Sequence, residues 1–230
     1  EINGIKVESL GSDPPAPFAG QVWYNTGSNS LKYFANVAGV WATGGNMGTA
    51  RAYVGSAGIQ TAGLCFGGYA GSPGVTASEE YNGTSWTGGG ALTTGRGYIG
   101  GAGTQTAGLA FGGVFTPASP PTTASTEEYN GSSWTNGGAL ANVRFSMGGA
   151  GTQTAALAFG GAGAPNPAVA EEYNGSSWST GGTMAQNRSV LSGAGTQTAG
   201  LGFGGETPAA PLTNITEEYN GSVSYTHLRA

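Results

Sequence analysis

The chain has 230 residues and a formal net charge of −5, with 46 glycines, one cysteine, one histidine and only 8% charged residues. Seven basic residues exclude a nucleic-acid surface. One cysteine excludes an internal disulfide or a cysteine-based metal cluster, and one histidine excludes a multi-histidine metal site and most histidine catalysis. Hydrophobic residues at 38% and aromatics at 10% still supply a core, and no apolar run approaches the roughly 18 residues that a membrane helix needs.

In chain order, residues 1–20 contain Asp13-Pro14-Pro15-Ala16-Pro17 and read as an extended linker. The chain opens without methionine, as if cut from a longer one. Residues 21–43 read as three short strands, either a small β module or part of a first repeat. From there a repeat governs the sequence to residue 222, in units 42–86, 87–134, 135–178 and 179–222. Each unit carries a Gly-x-Gln-Thr-Ala run ending in a Gly-Gly doublet, then Glu-Glu-Tyr-Asn-Gly at 79–83, 127–131, 171–175 and 217–221. Trp41, Trp86, Trp134 and Trp178 each precede an arginine by ten residues, namely Arg51, Arg96, Arg144 and Arg188. Nine residues later comes Gln60, Gln105, Gln153 or Gln197. Only the segment between the Gly-Gly doublet and the glutamates varies in length, with 10, 13, 9 and 11 residues in turn. The tail from 223 to 230, which holds His227, breaks the pattern: Ser224 stands where a tryptophan is due.

Each unit is expected to form four short strands. The first starts at the arginine (Arg96-Gly97-Tyr98-Ile99), the second is Ala107–Phe111, the third Glu127-Glu128-Tyr129, and the fourth carries Trp134. Asn130-Gly131 between the last two predicts a tight turn of type I′. Glycine is too frequent, and apolar spacing of three and four residues too rare, for helices. Four strands per unit of 44 to 48 residues is the pattern of a β-propeller blade.

The Gly-Gly doublet closing strand two, the spaced tyrosine and tryptophan, and the arginine opening the next unit resemble the kelch repeat over about 42–222. The resemblance implies an all-β, kelch-like propeller. Kelch-like propellers usually have six or seven blades, so the four visible here are expected to form an incomplete arc. The alternative is a small ring closed by pairing the Trp41 segment with Glu217–Tyr219. Uniform Gly/Ala/Thr-rich arrays of this kind resemble those of bacteriophage tail and fibre proteins. The run Gly20-Gln21-Val22-Trp23-Tyr24-Asn25-Thr26 is similar to a β module of phage tail proteins. Residues 223–230 resemble a peptide found at broken ends of reading frames assembled from environmental reads.

The candidate chemistry is sparse. Paired carboxylates can serve acid–base catalysis, but Glu-Glu recurs in every unit, and strand neighbours face opposite ways. A structural role is therefore expected for Glu79, Glu127, Glu171 and Glu217 and for Arg51, Arg96, Arg144 and Arg188: one glutamate of each pair faces a neighbouring blade's arginine or backbone, and the other faces solvent. A repeated Ca²⁺ site is the sharper alternative, lacking the usual oxygen-rich cluster. The tryptophans at fixed spacing read as packing between blades. No catalytic, metal or cofactor-binding residue is assigned, and no cofactor is expected. The variable segments 69–78, 114–126, 162–170 and 206–216 hold eight of the eleven prolines and emerge on one face. They are the expected recognition loops, with Tyr69, Phe115, Pro120, Asn166 and Leu212 as contacts. The phage resemblance implies a non-enzymatic tail or fibre protein on the virion or an extracellular surface. Its partners would be other virion proteins or a host-surface glycan or protein, and homo-oligomers are compatible with that role. The alternative is a bacterial secreted carbohydrate-binding propeller.

Overall fold

In a computed structural model, residues 7–16, 21–34, 41–115, 122–163, 168–209 and 212–221 are described. The chain divides into two compact units, Glu1–Thr43 and Gly44–Ala230.

The first unit corrects the linker expectation. Strand β1 (Glu8–Leu10) pairs in parallel with β2 (Val22–Asn25), which pairs antiparallel with β3 (Ser30–Tyr33). Asp13, just ahead of the prolines, accepts hydrogen bonds from Trp23 Nε1, Asn25 Nδ2 and Lys32 Nζ at 3.0, 2.6 and 2.9 Å. The Asn25 bond first, then Lys32 and Trp23, hold its carboxyl down at about 2. A proline-rich composition looks like a spacer, but in the described part of the segment Glu8–Leu10 forms a strand and Asp13 is tied to the two strands that follow. Trp41 lies in no strand and is fully exposed, so it does not occupy the position of the later tryptophans. A fourth-strand tryptophan needs a third strand of its own sheet to pair with, and the Glu-Glu-Tyr box that supplies one is absent ahead of Trp41.

The second unit is a series of four antiparallel sheets. The first holds β4 (Gly55–Ile59), β5 (Ala62–Phe66), β6 (Ser78–Tyr81) and β7 (Trp86–Gly88). The second holds β8 (Gly100–Gly103), β9 (Gly108–Phe111), β10 (Thr126–Tyr129) and β11 (Trp134–Asn136). The third holds β12 (Gly148–Thr152), β13 (Ala155–Phe159), β14 (Val169–Tyr173) and β15 (Trp178–Thr183). The last holds β16 (Ser192–Thr196), β17 (Ala199–Phe203) and β18 (Thr216–Tyr219). Strands pair in chain order within each sheet, and the first strands of successive sheets pack on one another, β4 on β8, β8 on β12 and β12 on β16. Among the described residues no helix occurs, and β18 pairs with β17 alone. The result is an open, propeller-like arc of blades.

The glycine-rich first strands follow from this packing. A Cβ on Gly101, Gly149 or Gly193 would lie 2.4, 2.6 and 2.6 Å from the carbonyl oxygen of Ser56, Gly101 and Gly149 in the preceding sheet. Only glycine lets backbones approach so closely. The sheet of β4 to β7 carries Ser56 at this position. Closing the arc at the same spacing would drive a carbonyl into that side chain.

The first strand begins four residues after the arginine, not at it. Tyr53, Tyr98, Ser146 and Val190, each two residues past the arginine, are left-handed, with φ of 58, 55, 52 and 57°. An extended strand starts only after such a residue. Apolar cores fill the gaps between sheets. Leu64 and Phe66 of the first sheet, for example, meet Tyr129 and Trp134 of the second.

Candidate recognition face

The arginines of the repeat are almost wholly enclosed and each is paired. Arg51 bonds Glu79 at 2.9 Å and Arg188 bonds Glu217 at 2.8 Å, while Arg96 pairs with Glu127 and Arg144 with Glu171. Each guanidinium also donates to backbone carbonyls, as Arg144 does to Gly160 and Val169. The same carboxylates accept a backbone amide three residues ahead of the arginine: Gly48, Thr93, Ala141 and Ala185. One guanidinium nitrogen per arginine is buried without a partner, Nη2 in Arg96 and Nε in the other three. Burial pulls the Arg144 guanidinium below its ordinary value, and Glu171 opposes the shift. The pairs lie within a blade and not between neighbouring blades, which corrects the expectation: each ties the segment before the first strand to the third strand of the same sheet. The arrangement has no free group for acid–base work.

In three of the four pairs the other glutamate does not face solvent, which corrects the expectation there. Tyr129, Tyr173 and Tyr219 donate their hydroxyls to Glu80, Glu128 and Glu172 of the preceding sheet. Burial, and secondly these carboxylates, push Tyr173 and Tyr219 up to about 12. Glu218, with no following sheet among the described residues, is exposed. With both glutamates engaged in the first three boxes, no group of three potential metal ligands occurs among the described residues.

Trp134 and Trp178 lie between sheets. Trp134 donates to Ser78 Oγ and Trp178 to Thr126 Oγ1, both at 2.8 Å, and each ring meets Phe66 or Phe111 edge-on. Trp86 packs on Tyr81 of its own sheet. In the third interface Ala170 replaces the hydroxyl and the sequence has Ser224 in place of tryptophan. There, Phe159, Ala170, Met184 and Tyr219 line a cavity of ≈ 100 Å³. Sequence reading found the invariant glutamines but gave them no role. Gln105, Gln153 and Gln197 each donate to two carbonyls of the preceding sheet, Gln153 to Gly108 at 2.9 Å and Tyr129 at 2.6 Å.

The Asn-Gly turn also differs from type I′. Asn82, Asn130 and Asn174 keep negative φ, and each Oδ1 accepts amides two and three residues on. These are Asx turns in four-residue connections.

The opposite end of the sheets is different. Start of strand one and end of strand two meet there, through bridges Ala52–Tyr69, Gly97–Val114, Phe145–Ala162 and Ser189–Glu206. The variable segments leave from this end. Of the expected contacts, Leu212 is 78% exposed and Phe115 half-buried, while Pro120 and Asn166 lie outside the described residues. Tyr69 is a correction. It is buried, its hydroxyl donates to the Val114 carbonyl at 2.6 Å, and its ring occupies the space left by Gly97. A large aromatic beside a glycine in the next unit packs rather than projects. Thr123 and Thr126 are buried too, so the exposed part of that segment is shorter than 114–126.

Sequence reading missed Tyr53 and Tyr98. Their rings stack with centroids 4.0 Å apart and planes at 23°; Tyr69 meets both edge-on, and Phe145 meets Tyr98 edge-on. The Tyr53 hydroxyl first, and then burial, push Tyr98 up to about 12. The available signal was two tyrosines at one repeat position, each two residues past an arginine. Comparison with known proteins adds no assignment: no protein-family model matches the chain, and no curated protein matches it significantly.

Proposed function

We propose that this protein is a non-enzymatic recognition component, a structural or receptor-binding part of a virion tail or fibre built on kelch-like blades. It would meet a host surface through the end of the sheets that bears the variable segments. The observation that carries the reading is the division of labour between the two ends. The glutamines and Asx turns at one end repeat almost unchanged and are committed to contacts between and within sheets. At the other end, length, sequence and aromatic content all differ from unit to unit. Insertions confined to one loop mark the binding face of repeat proteins. The four variable segments carry a single charged residue, Glu206, which suits a glycan or an uncharged protein surface. The same neutrality favours the second reading, a secreted carbohydrate-binding propeller of bacterial origin.

The test replaces residues 116–121 with Gly-Ser, leaving Val114 and Thr122–Thr126 in place, and measures binding to host cells or isolated envelopes. Reduced binding with unchanged circular dichroism is expected. Unchanged binding moves the site away from this face. Mass spectrometry of purified particles separates the readings, since only a tail component is found in virions.

A further inference from the structure

We propose that the exposed ring of Tyr53, backed by Tyr98, is a stacking platform for a neutral sugar ring at the variable end of the sheets. The inference deepens the recognition reading and rests on it.

The first argument is the backbone. Elsewhere in the first repeat, 42–86, the chain uses glycine at left-handed positions: Gly58, Gly67, Gly68 and Gly83, with φ of 93, 63, 94 and 92°. At the position after the arginine it keeps a side chain in that conformation, where glycine is free of strain. The backbone there links neighbouring sheets, Tyr98 N to Tyr53 O, Ser146 N to Tyr98 O and Val190 N to Ser146 O. Any residue supplies those bonds, and serine and valine do so in the later units. The rings are therefore not needed for the turn.

The second argument is construction. Tyr98 covers one side of Tyr53, and Tyr69, anchored through its hydroxyl to Val114, meets both rings edge-on. A Cβ at residue 97 would lie 2.3 Å from the Tyr69 ring, so Gly97 makes room for it. Tyr53 is held in place yet remains 53% exposed. Tyr98 and Tyr69 act as positioning residues.

The third argument is charge. Arg51 and Arg96 are enclosed and paired with Glu79 and Glu127, and the segments 69–78 and 114–126 carry no charge. An ionic ligand finds no counter-charge here. A pyranose presents a C–H face that stacks on an aromatic ring and hydroxyls that bond neutral donors and acceptors.

The experiment titrates the whole protein with a panel of neutral gluco-, galacto- and manno-oligosaccharides, with sialylated glycans as the anionic set, using an array and then calorimetry. Tyr53→Gly removes the ring and suits the left-handed backbone, so the fold holds. Val190→Gly makes the same backbone change in the fourth unit. A neutral sugar should bind the wild type. Tyr53→Gly should weaken it about tenfold or more, and Tyr53→Phe and Val190→Gly should keep it. The proposal fails if no neutral sugar binds, if only sialylated glycans do, or if Tyr53→Gly binds as the wild type does. Cell binding that is lost on replacing 116–121 but survives Tyr53→Gly and excess sugar assigns the face to a protein partner. That outcome overturns the platform and leaves the recognition face standing.

Discussion

Arg144 and Glu171 offer the sharpest test of how the blades are held. Both side chains are fully enclosed, so water cannot replace a lost partner. Removing one member of a buried pair typically costs about 3–5 kcal/mol, because the other charge stays buried and unpaired. Glu171 keeps the amide of Ala141 at 2.6 Å, which compensates part of its charge, so Arg144→Met should cost about 3 kcal/mol, at the lower end. Arg144→Met combined with Glu171→Gln leaves no charge behind and should be more stable than Arg144→Met alone, since neutral replacement of both partners is often tolerated. Arg188→Met should cost less than Arg144→Met, because the Glu217 side chain is 23% exposed and can be rehydrated. Each sheet contacts only its neighbours, so unfolding need not be all-or-none. Urea titration should therefore follow both tryptophan fluorescence and hydrogen exchange of the amides in β13 and β17. A loss below about 1 kcal/mol for Arg144→Met, or a double variant no better than the single, refutes the reasoning.

Two further outcomes follow from the packing between blades. Gly149→Ala should destabilise by about 1–3 kcal/mol in chemical denaturation, as overpacking does, because its Cβ would meet the Gly101 carbonyl at 2.6 Å. Gly88→Ala, with open space around the new Cβ, should be neutral or gain up to about 1 kcal/mol. The tyrosines raised from 10.0 to about 12 set an alkaline limit: the unfolded chain ionises first, so stability is intact below pH 10 and falls as pH rises towards about 12. Tyr173→Phe should flatten that slope, read from denaturation curves across the window alongside ultraviolet difference absorbance.

The repeat and the strand count were legible because each rests on spacing alone, whereas the arginines were expected to find glutamates between blades and find them within their own sheet. Which strand partners face which sheet was not legible. Glu80 and Glu128 look solvent-facing by strand alternation, since the tyrosine that binds each one belongs to the next unit. The glutamines were visible as a fixed interval, but their partners are backbone carbonyls, which leave no trace in sequence. Asp13 escaped because its three donors are 10, 12 and 19 residues away across a proline-rich stretch. Tyr69 was misplaced because its burial depends on Gly97, 28 positions along the chain and in the next sheet. Trp41 kept the interval without the strand it needs.

The confinement of variation to one end has a physical cause that bears on function. At the glutamine end, each connection serves two sheets. Gln153 reaches the carbonyls of Gly108 and Tyr129, and the Asn130 turn sets the register that brings Trp134 opposite Tyr129. A change of length there would break bonds in its own sheet and in the one before. At the other end the chain is tied down where it leaves the Gly-Gly doublet and where it re-enters strand three, as Gly112 N to Ser125 O and Thr123 N to Gly113 O do in the second unit. Between those ties the segment is free to vary, and tolerance alone explains its loops. Tolerance does not explain Tyr53 and Tyr98. They lie outside the variable segments, in a left-handed conformation that glycine adopts without strain, in a chain where every fifth residue is glycine. The rings stack on each other, Tyr69 meets both edge-on and Phe145 meets Tyr98, yet Tyr53 stays 53% exposed, and that exposed ring is what the proposed sugar would cover.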